Sequence, residues 1–182
     1  MYRLKRIAQL AHGKTLDIGY AAKPNPFLRG EVYGLDREKA LTPPNYRATL
    51  TGDATQLAAL DERFDSITAG EIIEHLDNPG QFLADCYHIL KPGGRLIIST
   101  PNPYYPPFAL TEWLMSPRFF FSHDHVYIFP PRFLVRLMQR HGFEQVKTYS
   151  GGLIIPFIRK ELPFPRPFCY AIIYAGNKPG LP

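Results

Sequence analysis

FDSITAGEIIEHLDNPGQFLADCYHILKPGGRLIIST, residues 64–100, decides how the chain is read. Its first part, FDSITAGE (64–71), is a short apolar and β-branched run of strand length, and GRLIIST (94–100) is another. Between them Phe82, Leu83, Cys86, Ile89 and Leu90 form an apolar stripe at helical spacing, which stops at Pro92-Gly93-Gly94. A strand, a helix and a strand in succession imply two parallel strands joined by a right-handed crossover. Inside the same stretch Glu71, Glu74 and His75 stand at i, i+3 and i+4. On a helix they share one face. Two carboxylates and an imidazole so placed can hold a divalent cation, or they can be only the acidic first turn of an ordinary helix.

Working outward, TLDIGY (15–20), VYGLD (32–36) and RATLTGD (47–53) complete a set of five short strands. PPRFLVRLMQRHGF (130–143) reads as a second amphipathic helix, with proline at its start and Gly142 past its end. QVKTYSG (145–151) and FCYAIIYAG (168–176) read as two last strands. The alternation predicts an α/β fold with an open, doubly wound sheet, whose ligands bind at the carboxyl ends of the strands. PNPYYPPF (101–108) and IPFIRKELPFPRPF (155–168) cannot be regular helix or central strand. Residues 101–129 carry Tyr104, Tyr105, Phe108, Trp113, Phe119, Phe120 and Phe121 with no clean period, and leave the end of the fifth strand. They are expected to form an insertion that covers the crevice and touches substrate, the alternative being a hydrophobic flap.

A chain of 182 residues suits one domain, taken as residues 1–182. With 45% hydrophobic and 20% charged residues it is globular rather than disordered. No apolar run nears the roughly 20 residues needed to span a bilayer, and the start, MYRLKRIAQLAHGK, does not read as a signal peptide. Cys86 and Cys169, with no CxxC pairing, fit a reducing compartment, so a cytoplasmic location is expected. A net charge of +5 with scattered basic residues admits a nucleic-acid or phosphate-bearing partner without selecting one.

The strand ends carry the candidate cofactor residues: Asp17-Ile18-Gly19 after the first, Asp36 after the second and Asp53 after the third. A carboxylate about 20 residues beyond a glycine turn is what a ribose diol calls for. LDIGYA, GLD, GDAT, FDSITAGEIIEHL and LKPGGRLIISTPN, in this order and spacing, resemble class I S-adenosylmethionine-dependent methyltransferases, in particular the group that includes the quinone-biosynthesis O-methyltransferases. The resemblance covers about residues 14 to 150. It implies a seven-stranded Rossmann-like sheet, mostly parallel, ending in an antiparallel hairpin, and S-adenosylmethionine as cofactor. Asp17 and Gly19 would then flank the methionine part, with Tyr20 and Ala21 continuing the turn. Asp36 would take the ribose hydroxyls with Arg37 beside it, Asp53 and Ala54 would lie by the adenine, and Glu71 would serve the cofactor side.

Two departures from the family pattern stand out. The run Gly19-Tyr20-Ala21-Ala22-Lys23-Pro24 lacks the family's second glycine, and Pro24 and Pro26 rule out a long helix directly after the first strand. About fourteen residues precede the first strand, where relatives often carry substrate-capping helices, so the lid is expected from 101–129 and 155–168.

Methyl transfer to a hydroxyl needs the acceptor held about 3 Å from the methyl carbon and its proton removed, by a base or with a metal. SHDHVYIF (122–129) supplies His123, Asp124 and His125. Together with ExxEH this resembles the metal site of the small-RNA 3′-end 2′-O-methyltransferases. That resemblance implies Glu71, Glu74, His75 and His125 as ligands of Mg²⁺ or Mn²⁺, a donor set suited to such hard ions. Equally, His75 or His125 can act as a base without metal, or be packed structurally. The expected reaction is O-methylation of a small or glycan-like metabolite. The alternatives are an RNA ribose 2′-O-methyltransferase, with nucleic acid the less favoured partner, and a non-catalytic cofactor-binding or partner subunit.

Overall fold

The computed structural model describes residues 1–106, 125–155 and 160–181. Helix α1 (Tyr2–Leu10) precedes β1 (Thr15–Ile18), β2 (Val32–Asp36), β3 (Ala48–Thr51) and β4 (Phe64–Gly70). Helix α2 (Pro79–Ile89) leads into β5 (Leu90–Pro101), and α3 (Pro131–Arg140) precedes β6 (Glu144–Ser150). A ribbon of β7 (Leu153–Ile155) and β8 (Lys160–Leu162) then comes before β9 (Ala171–Asn177). The main sheet has seven strands in the order β3-β2-β1-β4-β5-β9-β6. The first five strands run parallel, and β9 lies antiparallel between β5 and β6. This is the expected sheet, its last two strands wound as an antiparallel pair with the small ribbon inserted between them.

Alternation along the central strands assigns the two faces. Leu96 and Ile98 join the larger core with Phe82, Leu83 and Cys86 of α2 and Leu134 and Met138 of α3. Ile97, with Ile173 and Ala175, faces Ile7 of α1 instead. Both sides of the sheet are thus covered, which a parallel sheet requires. Cys86 and Cys169 are buried thiols. No described helix is long and apolar enough to cross a membrane.

Four local features differ from the sequence reading. The first ten residues build a helix that no motif announced, although Arg3 and Ile7 sit at i, i+4 on its buried side. Between β1 and β2 the described backbone contains no helix. Tyr20, Leu28, Val32 and Tyr46 fill that space, packed against Ala8 and Ala11. Helix α2 stops at Ile89, and Leu90 already pairs with Phe64, because a register shift there lets Pro92-Gly93 bulge out of the ladder. Lastly, Glu71, Glu74 and His75 do not share a helical face. Glu71 has φ 60°, and only a single 3₁₀ turn, Ile73–His75, follows it. The left-handed residue breaks the helical path before it can start.

Candidate active site

Two contiguous clefts open along the carboxyl ends of β1, β2 and β4. The larger, about 350 Å³, is bordered by Gly19, Ala21, Asp36, Arg37, Ala54 and His75. The smaller, about 230 Å³, is bordered by Arg3, Asp17, Asn25, Thr68 and Gly70. Gly19, Glu71 and Ile72 belong to both. Gly19 has φ +76°, and a Cβ built there would lie 2.2 Å from Ile72 Cδ1. Glycine therefore serves twice, by adopting the left-handed turn and by leaving Ile72 its place at the junction.

Asp36, at the end of β2, accepts the Ala21 N–H at 2.9 Å and the Glu38 N–H at 3.0 Å. Each carboxylate oxygen keeps a second acceptor site toward the cleft. Ala21 lies outside the left-handed region, where among the described non-glycine residues only Glu71 and Gln145 fall. Asp53 accepts the Thr55 N–H at 2.8 Å and Arg37 Nε at 2.9 Å. These contacts, the Thr55 amide foremost, hold its carboxyl below the usual range. Asp53 thus shapes the cleft through its neighbours Gly52 and Ala54, which border it. Tyr20 borders neither cleft. Its ring is buried over Gly34, where an added Cβ would meet it at 2.6 Å, and it packs on Tyr46. The expectation for Tyr20 is corrected: with no crossover helix after β1, this side chain fills the core.

In the smaller cleft Asp17 is buried and accepts hydrogen bonds from the Tyr46 hydroxyl and, at 2.5 Å, from Thr68 Oγ1. Burial nevertheless pushes its carboxyl up to about 6. Arg3 is the residue that sequence reasoning missed. It reaches from α1 into the cleft, buried, with Nη1 2.6 Å from Ser99 Oγ and 3.0 Å from Glu71 Oε1. The available signal was its i, i+4 pairing with Ile7, which places a cation on the sheet-facing side of an N-terminal helix.

His75 borders the larger cleft, and its ring meets that of His125 edge to face with centroids 4.5 Å apart. Residues 125–127 are held there by the Val126 and Tyr127 N–H groups, which donate to the Glu74 carbonyl at 2.8 and 3.1 Å. Donor atoms of Glu74, His75 and His125 all lie within 4.8 Å of one another. Glu71 does not join this group in the structure; its carboxylate is on Arg3. Glu74 is 1% exposed; its carboxylate oxygens make no hydrogen bond of ordinary geometry, and Thr100 and the Glu74 backbone are the donors near it. Burial, reinforced by the charge of Glu71, pushes its carboxyl up to about 8. His123, Asp124 and the aromatic residues 108–121 lie outside the described residues.

The raised carboxyls of Asp17 and Glu74 make stability depend on pH. In each case the folded chain binds the proton more tightly than the unfolded chain, whose values lie near 3.8 and 4.5. Their contribution is fully present below the unfolded values and is lost as pH rises through about 6 for Asp17 and about 8 for Glu74. Urea denaturation in chelated buffer should therefore give a lower unfolding free energy at about pH 8.5 than at about pH 5. Asp17→Asn and Glu74→Gln should each flatten part of that slope. An unchanged slope in both variants would contradict the assignment.

Comparison with known proteins gives this geometry a family. A model of the methyltransferase domain matches residues 3–148. A ubiquinone biosynthesis O-methyltransferase of Rhodopseudomonas palustris is 30% identical over 82% of this chain and 65% of its own length. The protein of the same name from Nitrobacter winogradskyi is 33% identical over 81% of this chain and 62% of its own length. The chain thus spans less than two thirds of these relatives. An S-adenosylmethionine-dependent methyltransferase structure from Thermotoga maritima superposes with a TM-score of 0.75 at 21% identity, covering 97% of this chain and 87% of its own. One from Archaeoglobus fulgidus gives 0.67 at 19% identity, covering 97% and 91%. The chain belongs to the methyltransferase-domain family, and its fold is that of the class I S-adenosylmethionine-dependent methyltransferases.

Proposed function

We propose that the chain, as a member of this family, transfers a methyl group from S-adenosylmethionine to a hydroxyl of a small or glycan-like metabolite. The observation that carries this reading is the pair of clefts joined at Gly19, with His75 bordering the larger one and His125 against its ring. The names of the Rhodopseudomonas and Nitrobacter relatives favour oxygen as the methylated atom. Bound S-adenosylmethionine supplies a methyl made electrophilic by its sulfonium. The nucleoside fits the larger cleft, with Asp36 facing the ribose hydroxyls and the turn at Gly19 admitting the ligand close to the backbone. The amino-acid tail fits the smaller cleft, where Arg3 is the cation available to its carboxylate. At the acceptor end a ring nitrogen of His75 takes the hydroxyl proton, and His125, edge-on against it, limits the orientation of its ring. The buried thiols Cys86 and Cys169 accord with a cytoplasmic setting.

A second form of the reading adds a cation. The buried carboxylate of Glu74, next to two imidazoles, is a fitting donor set for Mg²⁺ or Mn²⁺. A cation held by Glu74, His75 and His125 would supply Lewis acidity, lowering the pKa of the acceptor hydroxyl.

S-adenosylhomocysteine at a hundred times its dissociation constant should stabilise the fold by roughly 2.7 kcal/mol. No thermal shift at millimolar ligand would remove the enzymatic reading. Labelled methyl should pass to a catechol or sugar panel in preference to an RNA pool, and loss of activity on chelation would select the cation form. Arg3→Ala should weaken S-adenosylhomocysteine by about 10- to 100-fold, the worth of a charged hydrogen bond, and leave methylthioadenosine binding, which lacks the amino-acid tail, unchanged. Equal losses for both ligands in calorimetry would refute that role for Arg3.

A further inference from the structure

A third groove adjoins the His75–His125 pair through Asn102. It has a volume of about 280 Å³ and is bordered by Asn102 and Tyr104 after β5, Pro131 of α3, Thr148 of β6, Ile172 of β9 and Arg166. Asn102 also borders a narrow crevice with Thr100 and His125, so the groove and the histidine pair meet at the carboxyl end of β5. From Thr100 to Asn102 the extended chain advances about 7 Å, a span that one ring or a short chain covers. Asn102 is buried and fixes the walls. Its Nδ2 donates to the Cys169 carbonyl at 2.8 Å and to the Arg166 carbonyl at 3.4 Å, and its Oδ1 accepts the Tyr104 N–H at 3.1 Å. Arg166 is the one charged residue among the described residues bordering the groove. It is exposed, its guanidinium donates to Thr148 Oγ1, and no described carboxylate pairs with it. Helix α3 starts at Pro131 with no side-chain cap, so the positive end of its dipole lies at the same border.

We infer that this groove is an acceptor subsite for a carboxylate, and that the methylated metabolite carries one. The guanidinium of Arg166 is a planar fork of N–H donors, which matches the two oxygens of a carboxylate. One cation balances the single charge of a carboxylate, whereas a phosphate dianion would keep an unbalanced charge there. Tyr104, 61% exposed, offers a ring face to the apolar body of the acceptor, whether an arene or the apolar side of a sugar. An acceptor held by its carboxylate at Arg166 reaches back past Asn102 and presents its hydroxyl to His75 in few orientations, which favours reaction. The inference rests on the proposed methyl transfer and adds the acceptor class: a hydroxylated carboxylic acid rather than a neutral phenol or sugar.

Paired acceptors test this: caffeate against its carboxamide, and glucuronate against glucose. Each is measured by calorimetry on the whole chain loaded with S-adenosylhomocysteine, and by initial rates with labelled methyl donor. A carboxylate should exceed its neutral partner by about 10- to 100-fold in affinity and in kcat/KM, the worth of a charged hydrogen bond, with the difference falling in KM. Arg166→Ala should bring the carboxylate down to the level of its neutral partner. Arg166→Lys should keep part of the preference, because the charge remains while the fork is lost. S-adenosylhomocysteine binding in the same calorimetry reports that each variant is folded. Equal affinities within both pairs, or a preference that survives Arg166→Ala, overturns the subsite and leaves methyl transfer to the neutral acceptors standing. A carboxylate bound through Arg166 with no methyl passed to any acceptor overturns the acceptor role. Failure of the wild-type chain to bind S-adenosylhomocysteine overturns the methyl-transfer reading, and this inference with it.

Discussion

Gly19→Val should abolish measurable S-adenosylhomocysteine binding, a loss beyond about a hundredfold, or more than 2.7 kcal/mol. Two costs combine. A side-chain-bearing residue held at φ +76° loses roughly 1–2 kcal/mol to left-handed strain, and a β-branched residue tolerates that region worst. The added atoms also collide with Ile72, whose Cδ1 lies 2.2 Å and Cγ1 2.8 Å from the position of the new Cβ. Ile72 is at the junction of the two clefts, so the relief available to it is movement into the space a ligand would occupy. Calorimetry checks the affinity, and circular dichroism of the ligand-free variant checks that the sheet has formed. Ile72→Ala in the milder Gly19→Ala background should restore part of the binding, because it removes the collision while the strain stays. Wild-type affinity in Gly19→Val would mean that the ligand sits elsewhere.

The second large effect is expected at His75. Removing a positioned general base typically lowers the rate by 10²- to 10⁴-fold, and His75→Ala should fall in that range for an alcohol acceptor. The loss should be smaller for a more acidic phenol, which needs less help in giving up its proton. Affinity for S-adenosylhomocysteine should change far less than the rate, since the other residues bordering the nucleoside cleft, Gly19, Asp36 and Ala54 among them, are untouched. His125→Ala should show a weaker version of the same pattern, because it acts on the ring orientation of His75 from 4.5 Å away. Initial rates with labelled methyl donor at saturating cofactor measure both. If His75→Ala loses equally on alcohols and phenols of different acidity, His75 is not the base.

Much of this is legible in the sequence. The short apolar runs TLDIGY (15–20), VYGLD (32–36), RATLTGD (47–53) and FDSITAGE (64–71) place strands whose carboxyl ends must line a crevice. From that it follows that Gly19, Asp36 and Ala54 border one cleft, as they do. Tyr20 was misplaced because adjacency to a motif says nothing about which way a side chain turns. Once prolines deny the β1–β2 link a helix, the nearest large aromatic closes the core over Gly34. The i, i+3, i+4 spacing of Glu71, Glu74 and His75 misled for a similar reason. Helical periodicity carries meaning only on a helix, and the chain leaves β4 through a left-handed residue.

What the sequence by itself determined is the order and type of the elements, the seven-stranded sheet they must form, and the acidic and glycine residues at its crevice. These are local properties, set by patterning, turn chemistry and the handedness of crossovers. Only the tertiary structure decided who meets whom across long separations. Arg3 reaches Glu71 and Ser99, Tyr46 caps Asp17, and His125 comes to rest against His75. Each pair is far apart in the chain, so no periodicity links its members. They are joined by burial, which leaves a charged or polar group no choice but to find a partner within reach.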